Sequence, residues 1–362
     1  MLRSIIQRVI SLCAVLLFPG GWLYGMVMQV RNFLYDRGMR SAYAFDTAII
    51  SVGNLTVGGT GKTPCIEYLV RLLQAQLRIA VLSRGYKRTT QGFRMATLHD
   101  TALTIGDESF QVYNKLGAST RVRIAVAANR VQGIDKLLAM APDTQAILLD
   151  DGFQHRSVKP RLNILLTDFY RPFFTDYVLP AGRLREPRQA ARRADVIVVT
   201  KCPDPMPQAM QQYFQRCIYR YSRQQQPPPI FFTRISYGSP VCISQGQAKP
   251  LAKHVLLVTG IADPTLLVQY VAQHYHLVRH IAFKDHHAFT PRDIQKVLAV
   301  FDGMAYAEKC ILTTEKDRVR LMHPTLQFML QHIPVFYLPI VMEFVTGVEA
   351  FNQLVFDMIQ QP

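Results

Sequence analysis

Ser51-Val-Gly-Asn-Leu-Thr-Val-Gly-Gly-Thr-Gly-Lys-Thr-Pro64 reads as a phosphate-binding loop set between a strand and a helix. The apolar run Ala48-Ile-Ile-Ser-Val52 supplies the strand. Gly58, Gly59 and Gly61 let the backbone turn tightly and aim N–H groups at phosphate oxygens, with Thr60 between them. Lys62 would reach the β- and γ-phosphates and the Thr63 hydroxyl would ligate Mg²⁺. The helix that begins around Cys65 turns its positive dipole end toward the same anion. The strict pattern G-x-x-x-x-G-K-[ST] wants glycine where Thr56 stands, so a Gly-rich turn that merely ends in Lys-Thr is the competing reading. A nucleoside triphosphate is the expected ligand.

A chain of 362 residues, 49% hydrophobic and 18% charged, has enough apolar surface for two packed domains and is no candidate for disorder. The formal net charge of +16 asks for an anionic partner: nucleic acid, a phospholipid surface or a phosphorylated substrate. Six scattered cysteines without a C-x-x-C pair argue against zinc and a disulfide framework, and suit a reducing compartment.

Residues 9–30 carry no charge and are flanked by Arg3, Arg8, Arg31, Arg37 and Arg40. At 1.5 Å per residue a helix of that length, roughly 22 residues, would just cross a hydrocarbon core. Pro19-Gly20-Gly21 in its middle should kink or break it, and Trp22 and Tyr24 favour the membrane–water interface. A cleaved signal peptide fits poorly because no small-x-small site follows; a buried core helix is the other alternative. The expectation is a monotopic or hairpin-like anchor rather than a clean span.

Beyond the loop, Arg78-Ile-Ala-Val-Leu-Ser83, Arg123-Ile-Ala-Val126, Ala146-Ile-Leu-Leu-Asp150, Asn163-Ile-Leu-Leu-Thr167 and Val196-Ile-Val-Val-Thr200 look like strands buried on both faces and spaced by helices. That rhythm predicts a doubly wound parallel α/β sheet. The polar stretch Gln224-Gln-Gln-Pro-Pro-Pro229 reads as a linker to a second, smaller α/β lobe, where strands resume at Val255-Leu-Leu-Val-Thr-Gly260, Cys310-Ile-Leu-Thr-Thr314 and Val335-Phe-Tyr-Leu338. The expected division is an anchor at 1–40, a P-loop domain at 41–223, the smaller lobe at 224–339, and a C-terminal segment at 340–362 that packs back on the P-loop domain.

Asp150-Asp151 ends an apolar strand downstream of the loop, where a Walker-B carboxylate holds Mg²⁺; Asp-Gly turn chemistry is the alternative. Gly106-Asp107-Glu108-Ser109 opens a helix and by itself reads as a cap. Asp285-His286-His287, bracketed by Phe283 and Phe289, suits acid–base or orienting work. Thr314-Glu-Lys-Asp317 offers a lysine and carboxylates to a cleft. Leu179-Pro-Ala-Gly-Arg-Leu-Arg-Glu-Pro187 and Ser83-Arg-Gly-Tyr-Lys-Arg88 are basic loops suited to anions.

In this order and combination the motifs resemble the tetraacyldisaccharide 4′-kinases, from the apolar N-terminus into the second lobe. That family's loop tends to lack the first Walker glycine, and Ser109 stands where many members carry proline. The resemblance implies a P-loop NTPase-like kinase, with ATP and Mg²⁺ as cosubstrate and cofactor. It further implies a lipid acceptor, an acylated glucosamine disaccharide 1-phosphate, and a place on the cytoplasmic face of the inner membrane of a Gram-negative bacterium, against anionic phospholipid. Nucleic acid and an obligate protein partner are not implied. Carried onto this chain, Gly58, Gly59, Thr60, Gly61, Lys62 and Thr63 would hold the triphosphate. Thr63, Asp150 and Glu108 would serve the metal. Asp107 would be the general base, paired with a second-lobe histidine, His286 or its neighbour His287. Asp151, Gln154, Arg185, Glu186 and Arg84 would line or support the substrate site. The runner-up is a membrane-associated P-loop GTPase, for which Val199-Thr-Lys-Cys-Pro-Asp204 approximates an N/T-K-x-D base-reading motif with the aspartate one residue late. A non-catalytic, nucleotide-dependent binding module is a third reading.

Overall fold

The computed structural model describes residues 2–117, 119–243 and 251–360; the side chains of residues 2–18, with Arg3 and Arg8, lie outside the described set. Eight strands come first: β1 (Ala48–Asn54), β2 (Ile79–Ser83), β3 (Arg94–Met95), β4 (Val122–Val126), β5 (Ala146–Asp150), β6 (Leu162–Asp168), β7 (Val196–Thr200) and β8 (Ile230–Tyr237). A second group, β9 (Val241–Cys242), β10 (His254–Thr259), β11 (His276–Ala282), β12 (Lys309–Thr314) and β13 (Val335–Leu338), precedes β14 (Ile340–Phe344). The helices are α1 (Leu2–Asp36), α2 (Lys62–Leu73), α3 (Ala102–Ile105), α4 (Asp107–Leu116), α5 (Arg130–Met140), α6 (Gln208–Tyr219), α7 (Thr265–His274), α8 (Pro291–Asp302), α9 (Glu315–Leu321), α10 (Pro324–Leu330) and α11 (Val348–Gln360).

The large sheet has the order β14-β8-β7-β6-β1-β5-β2-β4-β3. From β8 to β4 its pairings are parallel, which is why its strands read as unbroken apolar runs: every residue of β1, β2, β5 and β7 is buried. Ile66, Leu69 and Leu73 of α2, Val112 of α4 and Phe351 and Val355 of α11 share a core on one face. On the other face Ile134 and Leu137 of α5 pack on β2 and β5, while Phe214 and Ile218 of α6 pack on β6 and β7. The chain lays β2 and β4 to one side of β1 and β6 to β8 to the other, so the crevice at the carboxyl end of β1 is the topological switch point where ligands of such sheets bind.

The small lobe is a five-stranded sheet, β11-β10-β12-β13-β9, with α8 and α10 on one face and α7 on the other. It does not begin at the Gln/Pro linker. β8, beyond that linker, pairs with β7, and β14 returns antiparallel along β8 from Ile340↔Tyr237 to Phe344↔Thr233. The lobe is therefore inserted between two paired strands of the large sheet, and its two crossings touch where Gly238 N–H donates to the Pro339 carbonyl at 2.9 Å. A strand's sheet is decided by its pairing partners, here β7 before the linker and β14 beyond the lobe, and linker composition carries no trace of that. Lys115 of α4 braces the interface between the lobes, with Nζ 2.6 Å from Glu67 of α2 and 2.9 Å from Glu315 of α9.

The expected break in the N-terminal segment is absent. Helix α1 runs continuously through Pro19. Gly21 and Gly25 sit against residues 178–181: a Cβ on Gly21 would meet the Ala181 Cβ at 3.0 Å and the Val178 carbonyl at 3.3 Å. These glycines serve close helix–loop approach, a tertiary demand that overrides their poor helix propensity. The outward face exposes Trp22, Leu23, Met26, Val27, Val30 and Phe33. Among the described residues, no helix is long and apolar enough to cross a membrane.

Candidate active site

Strand β1 delivers the loop and Gly61, with φ of +82°, caps α2 in the left-handed conformation that glycine tolerates. The loop is held from three sides. Asn54, wholly buried, donates its amide to the Thr56 carbonyl at 2.8 Å, and its Oδ1 accepts from Lys62 Nζ at 3.3 Å. Thr200, ending β7, donates to the Thr60 carbonyl at 3.0 Å. Lys201 reaches both the Gly59 carbonyl and Asp168 Oδ2 at 2.6 Å. The backbone path is thus set before any phosphate arrives.

Asp150 and Asp151 leave β5 in opposite states. Arg185 grips Asp151 through both guanidinium nitrogens at 2.8 and 2.9 Å and also donates to Asn54 Oδ1, while Lys62 lies 3.6 Å from Asp151. Burial pushes the Asp151 carboxyl up, but Arg185 and Lys62 outweigh it and hold it far below the carboxylate range. Asp150 is buried, and its Oδ1 has no hydrogen-bond partner among the described residues. Burial first, then the charges of Glu108 and Asp151, push it up to about 7. A buried, unpartnered carboxylate oxygen repelled by a second carboxylate fits a divalent cation. Thr63 lies in the first turn of α2, and Cys65, two residues on, has its thiol pushed up to about 12 by burial and then by the Asp150 charge. Among the described residues no group of three or more His, Cys, Asp or Glu is arranged to hold a metal ion by itself; Mg²⁺ keeps waters and phosphate oxygens among its ligands, so a site for it needs few protein groups.

Asp107 opens α4 directly after Gly106, whose φ is +86° and whose added Cβ would meet the Tyr86 carbonyl at 2.9 Å. This close approach joins the Gly-Asp-Glu turn to the Ser-Arg-Gly-Tyr loop, where Arg84 stands exposed at the end of β2. From the small lobe, His286 Nδ1 comes within 3.4 Å and Arg320 Nε within 2.8 Å of Asp107 Oδ2. Burial works against ionisation of Asp107, yet these two donors hold its carboxyl below the ordinary value. His287 points elsewhere: its Nε2 meets Asp293 at 3.0 Å in the cap of α8, and its ring stacks on Phe283. Of the two histidines, His286 faces the cleft.

Glu186 does not line the cleft. It is 0% exposed, paired with Arg31 of α1 at 3.4 Å and with Arg193. Arg31 also donates to the Gln154 carbonyl at 2.9 Å, Tyr24 donates to the Arg185 carbonyl at 2.9 Å, and Gln154 donates to the Asn54 carbonyl at 2.8 Å. Helix α1 is thereby built into the support of Arg185. Sequence reasoning passed over Asn54, Arg130 and Lys201. Arg130, buried on α5, donates to the Asp150 carbonyl at 3.1 Å. Lys201 was visible only as part of the GTPase-like stretch; the aspartate of that stretch, Asp204, is exposed and ion-paired with Arg234.

A phosphate loop at the switch point of a doubly wound sheet, faced across a cleft by a lobe that brings an imidazole to a carboxylate, is the architecture of a P-loop kinase. The family profile described as Tetraacyldisaccharide-1-P 4'-kinase matches residues 13–360. A tetraacyldisaccharide 4'-kinase of Phocaeicola vulgatus is 42% identical over 356 residues, 95% of each chain. One of Flavobacterium johnsoniae is 41% identical, covering 97% of this chain and 98% of its own. A crystal structure of the "apo" form of LpxK from Aquifex aeolicus in complex with ATP superposes with a TM-score of 0.73 at 26% identity, over 96% of this chain and 99% of that one. The chain belongs to the tetraacyldisaccharide-1-P 4'-kinase family. It is accordingly a phosphotransferase, neither a GTPase nor a non-catalytic binding module.

Proposed function

We propose that the chain transfers the γ-phosphate of ATP to the 4′-hydroxyl of a tetraacyl-disaccharide 1-phosphate in lipid A biosynthesis, with Asp107 as general base. The observation that carries this reading is the contact of Asp107 in the large domain with His286 and Arg320 in the small lobe, one residue from Glu108, whose charge acts on Asp150. A sugar hydroxyl is a weak nucleophile. Asp107, held ionised, accepts its proton as the oxygen bonds to the γ-phosphorus and the bond to the β-phosphate oxygen breaks, releasing ADP. His286 and Arg320 fix the carboxylate in place. Lys62 and the amides of Gly58 to Thr63 hold the phosphates and offset charge in the transition state. Asp150, with Glu108 and Thr63, would hold Mg²⁺, which would supply charge neutralisation at the phosphates. Arg185 and Asp151 set the position of Lys62, and Arg84, exposed after β2, would meet the substrate's own phosphate.

The acylated end of the acceptor would meet α1. Its apolar outer face and the exposed Arg37 and Arg40 that follow it suit surface attachment to anionic phospholipid, consistent with a place at the cytoplasmic face of the inner membrane. An apolar groove of about 260 Å³ between α1 and the 177–187 loop, lined by Trp22, Met26, Val178 and Pro187, suits hydrocarbon. The test is acceptor dependence. Purified chain with ATP and Mg²⁺ should release ADP in step with added disaccharide 1-phosphate and hardly at all without it; equal release in both cases would defeat the reading.

A further inference from the structure

We propose that Lys316 is a positioning residue for phosphoryl transfer, fixing His286 as the Nδ1–H tautomer so that the ring's hydrogen points at Asp107. This rests on the kinase reading above. Lys316 is the second residue of α9; its Nζ lies 3.1 Å from His286 Nε2 and 3.2 Å from Glu108 Oε1. An ammonium has donors and no acceptor, so a ring nitrogen bonded to it must present its lone pair. Nε2 therefore carries no hydrogen, the hydrogen of the neutral ring resides on Nδ1, and Nδ1 faces Asp107 Oδ2 at 3.4 Å. In water the neutral imidazole favours the other tautomer, which would leave two lone-pair atoms opposed across this contact.

The surrounding structure holds Lys316 to this task. Its neighbours in sequence are both buried and locked. Glu315 binds Lys115 and accepts from Ile340 N–H, while Asp317 accepts from Gly260 N–H at 2.8 Å and from Thr314 Oγ1 at 2.7 Å. The Gly260 carbonyl also accepts from His286 N–H at 3.2 Å, so a single residue ties the histidine to the helix that bears the lysine. Glu108 supplies the counter-charge across the cleft, which makes the tautomer conditional on the two lobes being in register. Arg320 Nη2 also approaches Nδ1, at 3.5 Å, but that contact is longer than the 3.1 Å from Lys316 Nζ to Nε2, and Nε and Nη1 of the same guanidinium are drawn to Asp107, Asp317 and the Gly260 carbonyl, so the lysine decides the tautomer.

The test pairs nitrogen NMR of histidine-labelled protein with kinetics of Lys316→Met and Lys316→Arg, the His286 signals being assigned by their loss in His286→Gln. Wild type should show the Nδ1–H form. Lys316→Met should shift His286 toward Nε2–H and lower kcat about tenfold to a hundredfold, part of what a positioned base contributes. KM for ATP should stay within about twofold. Lys316→Arg, also a pure donor, should keep the tautomer and most of the rate. An Nε2–H ring in wild type overturns the proposal, even if Lys316→Met fails to fold. So does a Lys316→Met protein that loses rate while its tautomer is unchanged. Absence of any ATP-dependent transfer by wild type would instead defeat the kinase reading and leave the tautomer result standing.

Discussion

His286, on a loop of the small lobe, sets Nδ1 3.4 Å from Oδ2 of Asp107, the first residue of α4 in the large domain. The two are 179 positions apart, and only the insertion of the lobe between β8 and β14 brings them together. A carboxylate and an imidazole that meet across a cleft act as one unit. Asp107→Ala and His286→Ala should each lower kcat, and the double variant should be little worse than the worse single. Additive losses in the double-mutant cycle would separate the two residues, and full activity of His286→Ala would remove the imidazole from the mechanism. His287→Ala should chiefly disturb the α8 cap.

Lys62→Ala should cost about 3 kcal/mol of transition-state stabilisation, the scale of losing one charged donor at the reacting phosphate. It also leaves Asp151 with Arg185 alone. Turnover within about tenfold of wild type would take the triphosphate away from this loop.

Asp150 makes stability and metal binding depend on pH in opposite senses. Its carboxyl is pushed up to about 7, by burial above all, against an ordinary value of about 3.9. Between those values the folded state keeps a proton that the unfolded state has released, so metal-free protein loses stability as pH rises from about 4 to 7. Asp150→Asn abolishes this loss. In EDTA it should melt above wild type at pH 8 and alongside it near pH 4. Mg²⁺ needs the ionised carboxylate, so it should raise the wild-type melting temperature more at pH 8 than at pH 6 and leave Asp150→Asn nearly unmoved. Equal Mg²⁺ stabilisation of both proteins would place the ion elsewhere.

The strands were legible because the parallel sheet buries both faces, so runs such as Ile147 to Leu149 and Val196 to Val199 stand out against their helical spacers. The site's chemical groups were legible because their residue types recur at strand and helix ends. Asn54 and Arg130 escaped notice because a polar residue gives no sign in sequence that its partners are backbone carbonyls or a lysine eight positions on. Glu186 looked like a cleft residue because its partner Arg31 lies 155 positions away on α1. The continuity of α1 through Pro19-Gly20-Gly21 was hidden for the same reason: what the glycines accommodate is a loop around Val178.

Helix α1 should prove to be part of the catalytic scaffold as well as a surface attachment. Deleting residues 1–29 removes the exposed apolar face, the packing of Gly21 and Gly25, and the Tyr24 bond to Arg185. The truncated protein should no longer sediment with anionic vesicles and should lose turnover on long-chain lipid, while ATP affinity changes little. Gly21→Leu separates the two roles. It keeps the apolar face but forces α1 off residues 178–181, so vesicle binding should persist while turnover falls even on a short-chain acceptor. Full activity of Gly21→Leu on that acceptor would reduce α1 to an anchor.

In the proposed mechanism the cleft moves a phosphate from ATP to a sugar hydroxyl with Asp107 taking the proton. Radiolabelled ATP, Mg²⁺ and a tetraacyl-disaccharide 1-phosphate, incubated with wild type and with Asp107→Asn, address it directly. The label should appear on the 4′-oxygen of the disaccharide with wild type and be reduced at least a hundredfold with the variant, the loss expected of a general base. Label recovered only as inorganic phosphate, or on the lipid at equal rates with both proteins, would contradict it.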